Sequence, residues 1–177
     1  ARFAEAAAEA LRSFAVPVNR GGVLTMVAYP AGTKPAPWYV ERAYPGSDPW
    51  RGAALNGFMV SLLNLNASAT LLNRQSAAGS YAPGAQEAAA LARGLADRGV
   101  ASLQRYMPLH DTGAWSYYGM RTPGHAFRTH KASLNYHCYH VRLLQQLESV
   151  LPNRDFGAYA TKWSGYVTKA GKTCATN

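Results

Sequence analysis

The chain has 177 residues, 48% of them hydrophobic, so it is long enough to bury a core and too apolar for a disordered segment. Eighteen Lys and Arg against nine Asp and Glu give a net charge of +9, which predicts a polyanionic partner: nucleic acid, an anionic membrane surface or an acidic polysaccharide. The basic residues are scattered along the chain, and the absence of a clustered stripe disfavours nucleic acid.

The cysteine content indicates neither a zinc motif nor a disulfide framework. Cys138 and Cys174 form no CxxC pair, and a bridge between these two residues is left open by the sequence. No apolar run approaches the roughly 20 residues of a membrane-spanning helix, so we expect no membrane segment. The triplet Asn66-Ala67-Ser68 is an N-glycosylation acceptor. The chain starts at Ala1 without a signal peptide, and we expect a processed protein or a piece of a longer one.

Apolar residues at three-to-four-residue spacing predict helices at residues 2–15, 53–65, 85–107, 133–151 and 155–168. Pro17, Pro108 and Pro152 are expected to end three of these helices, because proline lacks the backbone N–H that a helix needs. Ser133 is predicted to be the N-cap of the fourth helix.

The segments between the helices predict a small β contribution. Residues 21–29 read as a short strand behind a glycine turn. Residues 30–49 contain five prolines and several aromatic residues, and a long irregular loop of this kind is commonly functional. Residues 112–119 are expected to form a tight hairpin or loop. The predicted class is therefore mainly α with a short β-hairpin.

Titratable rings crowd into one part of the chain, from residue 110 to residue 140. All five histidines lie there, together with the tyrosines at 117, 118, 136 and 139 and a basic residue, Arg121. A hydrophobic core does not need so many ionisable rings, so we expect this segment to carry the chemistry.

Four segments resemble the C-terminal helical domain of the heparan-sulfate D-glucuronyl C5-epimerases: LNGFMVSLLNL (55–65), DTGAWSYYGMR (111–121), NYHCYHVRLLQQL (135–147) and FGAYATKWSGYV (156–167). The resemblance covers nearly the whole chain in the same order, and Tyr118 and Tyr136 are eighteen residues apart, as are that family's two C-terminal tyrosines. It implies one domain over residues 1–177, built as an (α/α) toroid-type half-barrel of paired helices. The family's β-rich parts are then expected on a companion chain or elsewhere in a larger assembly, including a homo-oligomer.

The function implied by this resemblance is isomerisation of D-glucuronate to L-iduronate at C5 within an acidic polysaccharide. The reaction is expected in the Golgi lumen of the secretory pathway or outside the cell, with no cofactor and no metal. Removing a proton next to a carboxylate and returning one to the opposite face requires a base, an acid and a cation that stabilises the intermediate.

The resemblance assigns the acid–base roles to tyrosines. Tyr118 and Tyr136 match the family's two C-terminal catalytic tyrosines, and Tyr44 matches the third. Ala43 stands where that family has an acidic residue, so Glu41, two residues earlier, is the predicted catalytic carboxylate.

Substrate binding is assigned to Arg121, Asn56, His137 and His140. Arg121 is expected to clamp the substrate carboxylate and to favour a phenolate at Tyr118. His140 shares a helix face with Tyr136 and can orient its phenol. For the two histidines, hydrogen-bonded packing in the core is the alternative, and no third ligand motif accompanies them for a metal.

A second interpretation is a catalytically inactive glycan-binding or structural module derived from the same fold. Two departures from the family pattern favour it: residues 133–135 read Ser-Leu-Asn where the family has Arg-Trp-Asp, and Thr122 replaces a histidine. The two interpretations differ on whether Tyr44, Tyr118, Tyr136 and Arg121 converge on one open cleft.

Overall fold

The computed structural model describes residues 2–29, 32–43, 53–77, 84–120, 130–151 and 155–175. Within these ranges the elements are α1 (Arg2–Ser13), a 3-10 turn (Val18–Arg20), β1 (Leu24–Val27), β2 (Ala36–Tyr39), α2 (Leu55–Ala77), α3 (Ala85–His110), α4 (Leu134–Val150) and α5 (Phe156–Lys169). Helix α2 packs most extensively on α3, and α4 packs on α5 and α2. The mainly α class with a short β-hairpin is confirmed. The toroidal curvature and the single domain over residues 1–177 stay predictions.

Two helices extend beyond their predicted ends. Helix α2 was expected to stop at Leu65 but continues to Ala77, because Ala69 and Leu72 in its later part are buried in the core. Helix α3 runs past Pro108 to His110, which is fully buried. Tertiary burial therefore overrides the local preference of turn-forming residues and of proline.

The hairpin pairs β1 with β2 in antiparallel register, from Leu24 opposite Tyr39 to Val27 opposite Ala36. The strand at β1 was predicted, whereas β2 lies in the range predicted to be an irregular loop. Pro37 is tolerated because each strand of a two-stranded sheet has an open edge. Residues 112–119, predicted to be a tight hairpin or loop, form a loop that is held by isolated bridges.

Buried aromatic residues fix the hairpin against α2 and α3. Trp38 stacks on Phe58 of α2 with ring centroids 3.8 Å apart. The Tyr39 hydroxyl donates to the Leu95 carbonyl of α3 at 2.8 Å, and the Tyr106 hydroxyl donates to a β1 carbonyl at 2.8 Å. These contacts determine where the chain leaves β2 at Tyr39, two residues before Glu41.

Helix α2 corrects the expectation that no segment approaches membrane-spanning length. Among the described residues it is the one helix long and apolar enough to qualify, at 23 residues and a mean hydropathy of 1.2. The core helix of a soluble protein passes the same test, and 44% of the qualifying window is buried in this fold. We interpret α2 as a core helix because one of its faces packs along α3.

The predicted glycosylation triplet lies inside α2 and not in a surface loop. Asn66 Oδ1 accepts a hydrogen bond from Arg93 Nη1 of α3 at 2.6 Å. A glycan on Asn66 would have to displace this contact between the two helices, so its placement gives no support to glycosylation.

The close approach of α2 to α3 depends on Gly99. A Cβ atom at this position would lie 2.3 Å from Leu62 Cδ2 and 2.9 Å from a Tyr39 ring carbon. We expect Gly99→Ala to lower the free energy of unfolding in urea by about 1–3 kcal/mol, because both neighbours are fully buried and have nowhere to move.

Gly94, on the same helix, is the matched control. A Cβ atom there meets only the flexible end of Arg98, at 3.3 Å, and alanine is the better helix former. Gly94→Ala should leave the stability unchanged or raise it. Equal effects of the two substitutions would contradict the close-packing explanation.

A disulfide bond joins Cys138 of α4 to Cys174 beyond the end of α5, with the Cα atoms 5.6 Å apart. This resolves the pairing that the sequence left open. The bond closes a loop of 36 residues, and restricting the unfolded chain in this way stabilises the fold by about 4 kcal/mol on the chain-entropy estimate.

Candidate active site

The backbone that follows α3 crosses the start of α2 at Tyr118. The Tyr118 N–H donates to the His130 carbonyl at 3.0 Å, and its own carbonyl accepts from the Leu55 N–H at 2.9 Å. An isolated bridge between Ala54 and Gly119 continues this contact. Because Leu55 is the first residue of α2, Tyr118 occupies one of the amides that a helix N-terminus leaves without an intrahelical partner.

Tyr118 and Tyr136 meet edge to face, with ring centroids 4.7 Å apart and planes at 74°. Tyr136 lies in the first turn of α4, where the predicted N-cap Ser133 accepts the Tyr136 N–H at 3.4 Å. Its side chain is 42% exposed, whereas Tyr118 is half-buried and stacks on the His130 ring at 5.2 Å. The pair therefore presents one open phenol and one sheltered phenol.

The electrostatic surroundings keep the proton on Tyr118. Burial raises the Tyr118 pKa to about 12, and the hydrogen bond to Tyr136 and the negative charge of Glu41 act in the same direction. The positive charge of Arg42 opposes them more weakly. At neutral pH the Tyr118 side chain is a neutral phenol, which can donate a proton but needs additional positive charge to act as a base.

Glu41 reaches this pair because the chain leaving β2 passes directly over the start of α2. A Cβ atom on Gly57 would lie 2.8 Å from Glu41 Cβ and 3.1 Å from Oε2, so only glycine permits this approach. The glycine of the Leu-Asn-Gly-Phe motif thus brings a carboxylate to the positive end of the α2 dipole. Glu41 itself is exposed.

Asn56 occupies the first turn of α2 and is 8% exposed. Its side-chain Oδ1 is a buried acceptor with no hydrogen-bond partner among the described residues. An orphaned buried acceptor costs about 1–3 kcal/mol and often marks a functional site. The substrate-binding role of Asn56 stays a prediction.

Of the predicted catalytic side chains, Tyr118 and Tyr136 are in contact, and Glu41 lies close enough for its charge to raise the Tyr118 pKa. Tyr44 and Arg121 lie outside the described residues. They were expected to face the same cleft as Tyr118 and Tyr136, and their roles stay predictions.

His137 and His140 lie in the core, where α4 packs on α5. Both are fully buried, and Nδ1 of each lies within 2.9 Å of the Ser116 hydroxyl, at 2.8 Å for His137 and 2.9 Å for His140. His137 Nε2 also contacts the Trp163 carbonyl of α5 at 3.0 Å. Burial lowers both pKa values, that of His140 to about 3. Their placement favours packing over the predicted substrate contact, and no group of three potential metal ligands occurs among the described residues.

Sequence reasoning missed Arg42, His130 and Ser116. The signal for Arg42 is its charge next to Glu41, the predicted catalytic carboxylate. His130 had only its position in the histidine-rich segment as a signal, and Ser116 had none, because its role depends on contacts with α4 across the fold.

Two comparisons with known proteins agree. The family model described as D-glucuronyl C5-epimerase C-terminus matches residues 1–165. A D-glucuronyl C5-epimerase of Caenorhabditis elegans is 29% identical over 167 residues, which is 93% of this chain and 25% of that protein. The chain therefore spans about a quarter of the length of this relative.

Proposed function

The chain belongs to the D-glucuronyl C5-epimerase C-terminal family, and from this premise we propose that it supplies acid–base side chains for inverting C5 of D-glucuronate residues in an acidic polysaccharide. The observation that carries the proposal is the hydrogen-bonded pair Tyr118 and Tyr136, with the carboxylate of Glu41 and the guanidinium of Arg42 in electrostatic range. The excess of positive charge, +9, suits a polyanionic substrate.

The reaction transfers protons and no net electrons. A base removes the C5 proton, the electron pair left on C5 delocalises into the substrate carboxylate, and an acid returns a proton to the opposite face. The product is L-iduronate, and the bonds to the neighbouring sugars stay intact. The proposal therefore needs no redox cofactor. It does need positive charge beside the substrate carboxylate, for which Arg42 and Arg121 are the proposed sources.

The phenol pair serves one face of the sugar. An acid and a base on opposite faces must each approach C5 to about 3 Å, with the sugar ring between them. The rings of Tyr118 and Tyr136 are in contact, which leaves no room for a sugar between them. We assign the pair to proton donation on one face, because Tyr118 carries its proton at neutral pH. Proton removal on the other face is assigned to Glu41 or Tyr44.

The proposed location is an oxidising compartment, either the Golgi lumen of the secretory pathway or the cell exterior. The disulfide between Cys138 and Cys174 supports it, because such bonds persist where thiols are not kept reduced.

We also propose that a companion polypeptide completes the enzyme. The C. elegans relative is about four times as long as the matched segment. A groove of about 680 Å³ between α2 and α4 supports the proposal, since Leu71 and Val150 on its walls are 57% and 46% exposed. Exposed apolar side chains lining one groove are typical of a surface that packs against further polypeptide.

The test is solvent exchange at C5. The protein, isolated from its own cells with any polypeptide that accompanies it, is incubated with a glucuronate-containing polysaccharide in deuterated water. We expect deuterium at C5 and iduronate in the digested product, both detected by NMR. A folded protein that binds the polysaccharide on an affinity column but does not exchange C5 would instead favour the inactive binding module. The specific observation in favour of that module is Ala43, which stands where the family has an acidic residue.

A further inference from the structure

Ser116 is buried and is the centre of a hydrogen-bond network outside the proposed chemistry. Its exposed fraction is zero. Its N–H donates to His137 Nδ1 at 3.1 Å, its hydroxyl lies 2.8 Å from the same atom and 2.9 Å from His140 Nδ1, and its carbonyl accepts from the Ala132 N–H at 2.9 Å. Every polar atom of Ser116 is therefore engaged.

The partners determine the direction of these bonds. The Trp163 carbonyl can only accept, so His137 carries its proton on Nε2 and presents a bare Nδ1 to Ser116. The Ser116 N–H and the Ser116 hydroxyl then share the one lone pair of His137 Nδ1, and the hydroxyl oxygen accepts from the His140 Nδ1–H. The remaining Nε2 of His140 is an acceptor without a partner among the described residues, which is tolerable because no N–H is left unpaired.

The sequence positions of this network connect it to the phenol pair. Ser116 is two residues before Tyr118, and His137 directly follows Tyr136. The Ser116–His137 contacts thus tie the segment that carries one phenol to the helical turn that carries the other. His137 is further held by stacking on Trp115, with ring centroids 4.0 Å apart.

We infer that Ser116 is a positioning residue, which acts through His137 and His140 to hold the phenols of Tyr118 and Tyr136 in contact. The consequence for catalysis rests on the proposed function, whereas the geometric consequence does not. A displacement of about 1 Å between the two segments separates hydroxyl groups that a hydrogen bond requires within roughly 3 Å. Catalytic groups held by hydrogen bonds from residues behind them lose geometry when those bonds are removed.

The test is NMR of the folded chain with tyrosines labelled at Cζ and in the rings, with Tyr118 assigned from Tyr118→Phe. In the unsubstituted protein we expect ring contacts between Tyr118 and Tyr136 and only about a tenth of Tyr118 ionised at pH 11, in keeping with a pKa of about 12. In Ser116→Ala the ring contacts should weaken severalfold and the ionisation midpoint should fall by one pH unit or more.

A second pair of variants covers the case in which Ser116→Ala does not fold. In His140→Asn an amide N–H replaces the Nδ1–H donor to Ser116, so the tyrosine signals should stay as in the unsubstituted protein. In His140→Gln the donor is displaced, and the signals should shift in the same direction as in Ser116→Ala. Folded variants that lose melting temperature but keep both tyrosine signals would overturn the inference, leaving Ser116 a purely structural residue. This NMR test does not measure C5 exchange, so its result does not depend on the proposed function. A failure of the proposed function would show in the C5 exchange assay instead.

Discussion

Tyr136→Phe is expected to slow the conversion of glucuronate to C5-deuterated iduronate by about 10²- to 10⁴-fold, the usual contribution of a general acid–base group. Tyr118→Phe should cause a loss of the same order, because the two phenols are hydrogen-bonded and act as one donor. The double variant should therefore be little worse than either single variant, since residues that act as a unit are not additive. The measurement is the rate at which C5-deuterated iduronate forms in a glucuronate-containing polysaccharide, at saturating and at limiting substrate.

Tyr159→Phe is the control for this pair. Tyr159 lies on α5, half-buried against Trp163 with ring centroids 6.0 Å apart, and it contacts neither phenol of the pair. The substitution Tyr159→Phe removes the same hydroxyl from the same residue type, and it should leave the rate of iduronate formation within about twofold of the rate of the unsubstituted protein. Iduronate formation that survives in both Tyr118→Phe and Tyr136→Phe would remove Tyr118 and Tyr136 from the mechanism and leave the chemistry to Glu41 and Tyr44.

Acid should unfold this protein through its buried histidines. Burial lowers the pKa of His110 to about 4 and that of His140 to about 3, from an ordinary value near 6.5. Below pH 6.5 the unfolded chain binds protons that the folded chain does not, so stability is full above pH 6.5 and falls as the pH drops towards 4. Each group contributes about 1.4 kcal/mol per pH unit in this window. We expect the free energy of unfolding to fall by several kcal/mol between pH 6.5 and pH 4.

The measurement is urea unfolding at a series of pH values. His110 stacks on Trp38 with ring centroids 5.7 Å apart, and His110→Phe preserves this stacking while removing the titratable ring. The substitution should reduce the slope of stability against pH, and the rest of the slope should remain because burial also lowers the pKa values of His140 and His137. Phe58→Leu is the control, since it alters the same aromatic cluster around Trp38 without removing an ionisable group, and it should leave the slope unchanged. An unaltered slope in His110→Phe would show that other groups cause the acid sensitivity.

The sequence was most informative where a residue's function depends on local order. The separation of Tyr118 and Tyr136, taken with the resemblance to the epimerases, predicted that both belong to one site, and they are in contact. The N-cap at Ser133 followed from residue type alone and is confirmed.

The sequence was least informative where burial decides the outcome. Pro37 argued against a strand, yet the open edge of a two-stranded sheet accommodates it. His137 and His140 were natural candidates for binding because ionisable rings cluster around them, but the packing of α4 against α5 places both inside the core. Nothing local distinguishes a serine such as Ser116 from a surface residue, because its partners are 21 and 24 residues away in the chain.

The disulfide has a practical consequence for anyone producing this domain. The family match ends at residue 165, whereas α5 continues to Lys169 and the partner of Cys138 is at position 174. Expression ending at the family boundary would truncate the last helix and leave Cys138 as an unpaired thiol two residues from Tyr136. Recombinant material for any assay should therefore extend through Cys174 and be made where disulfides form.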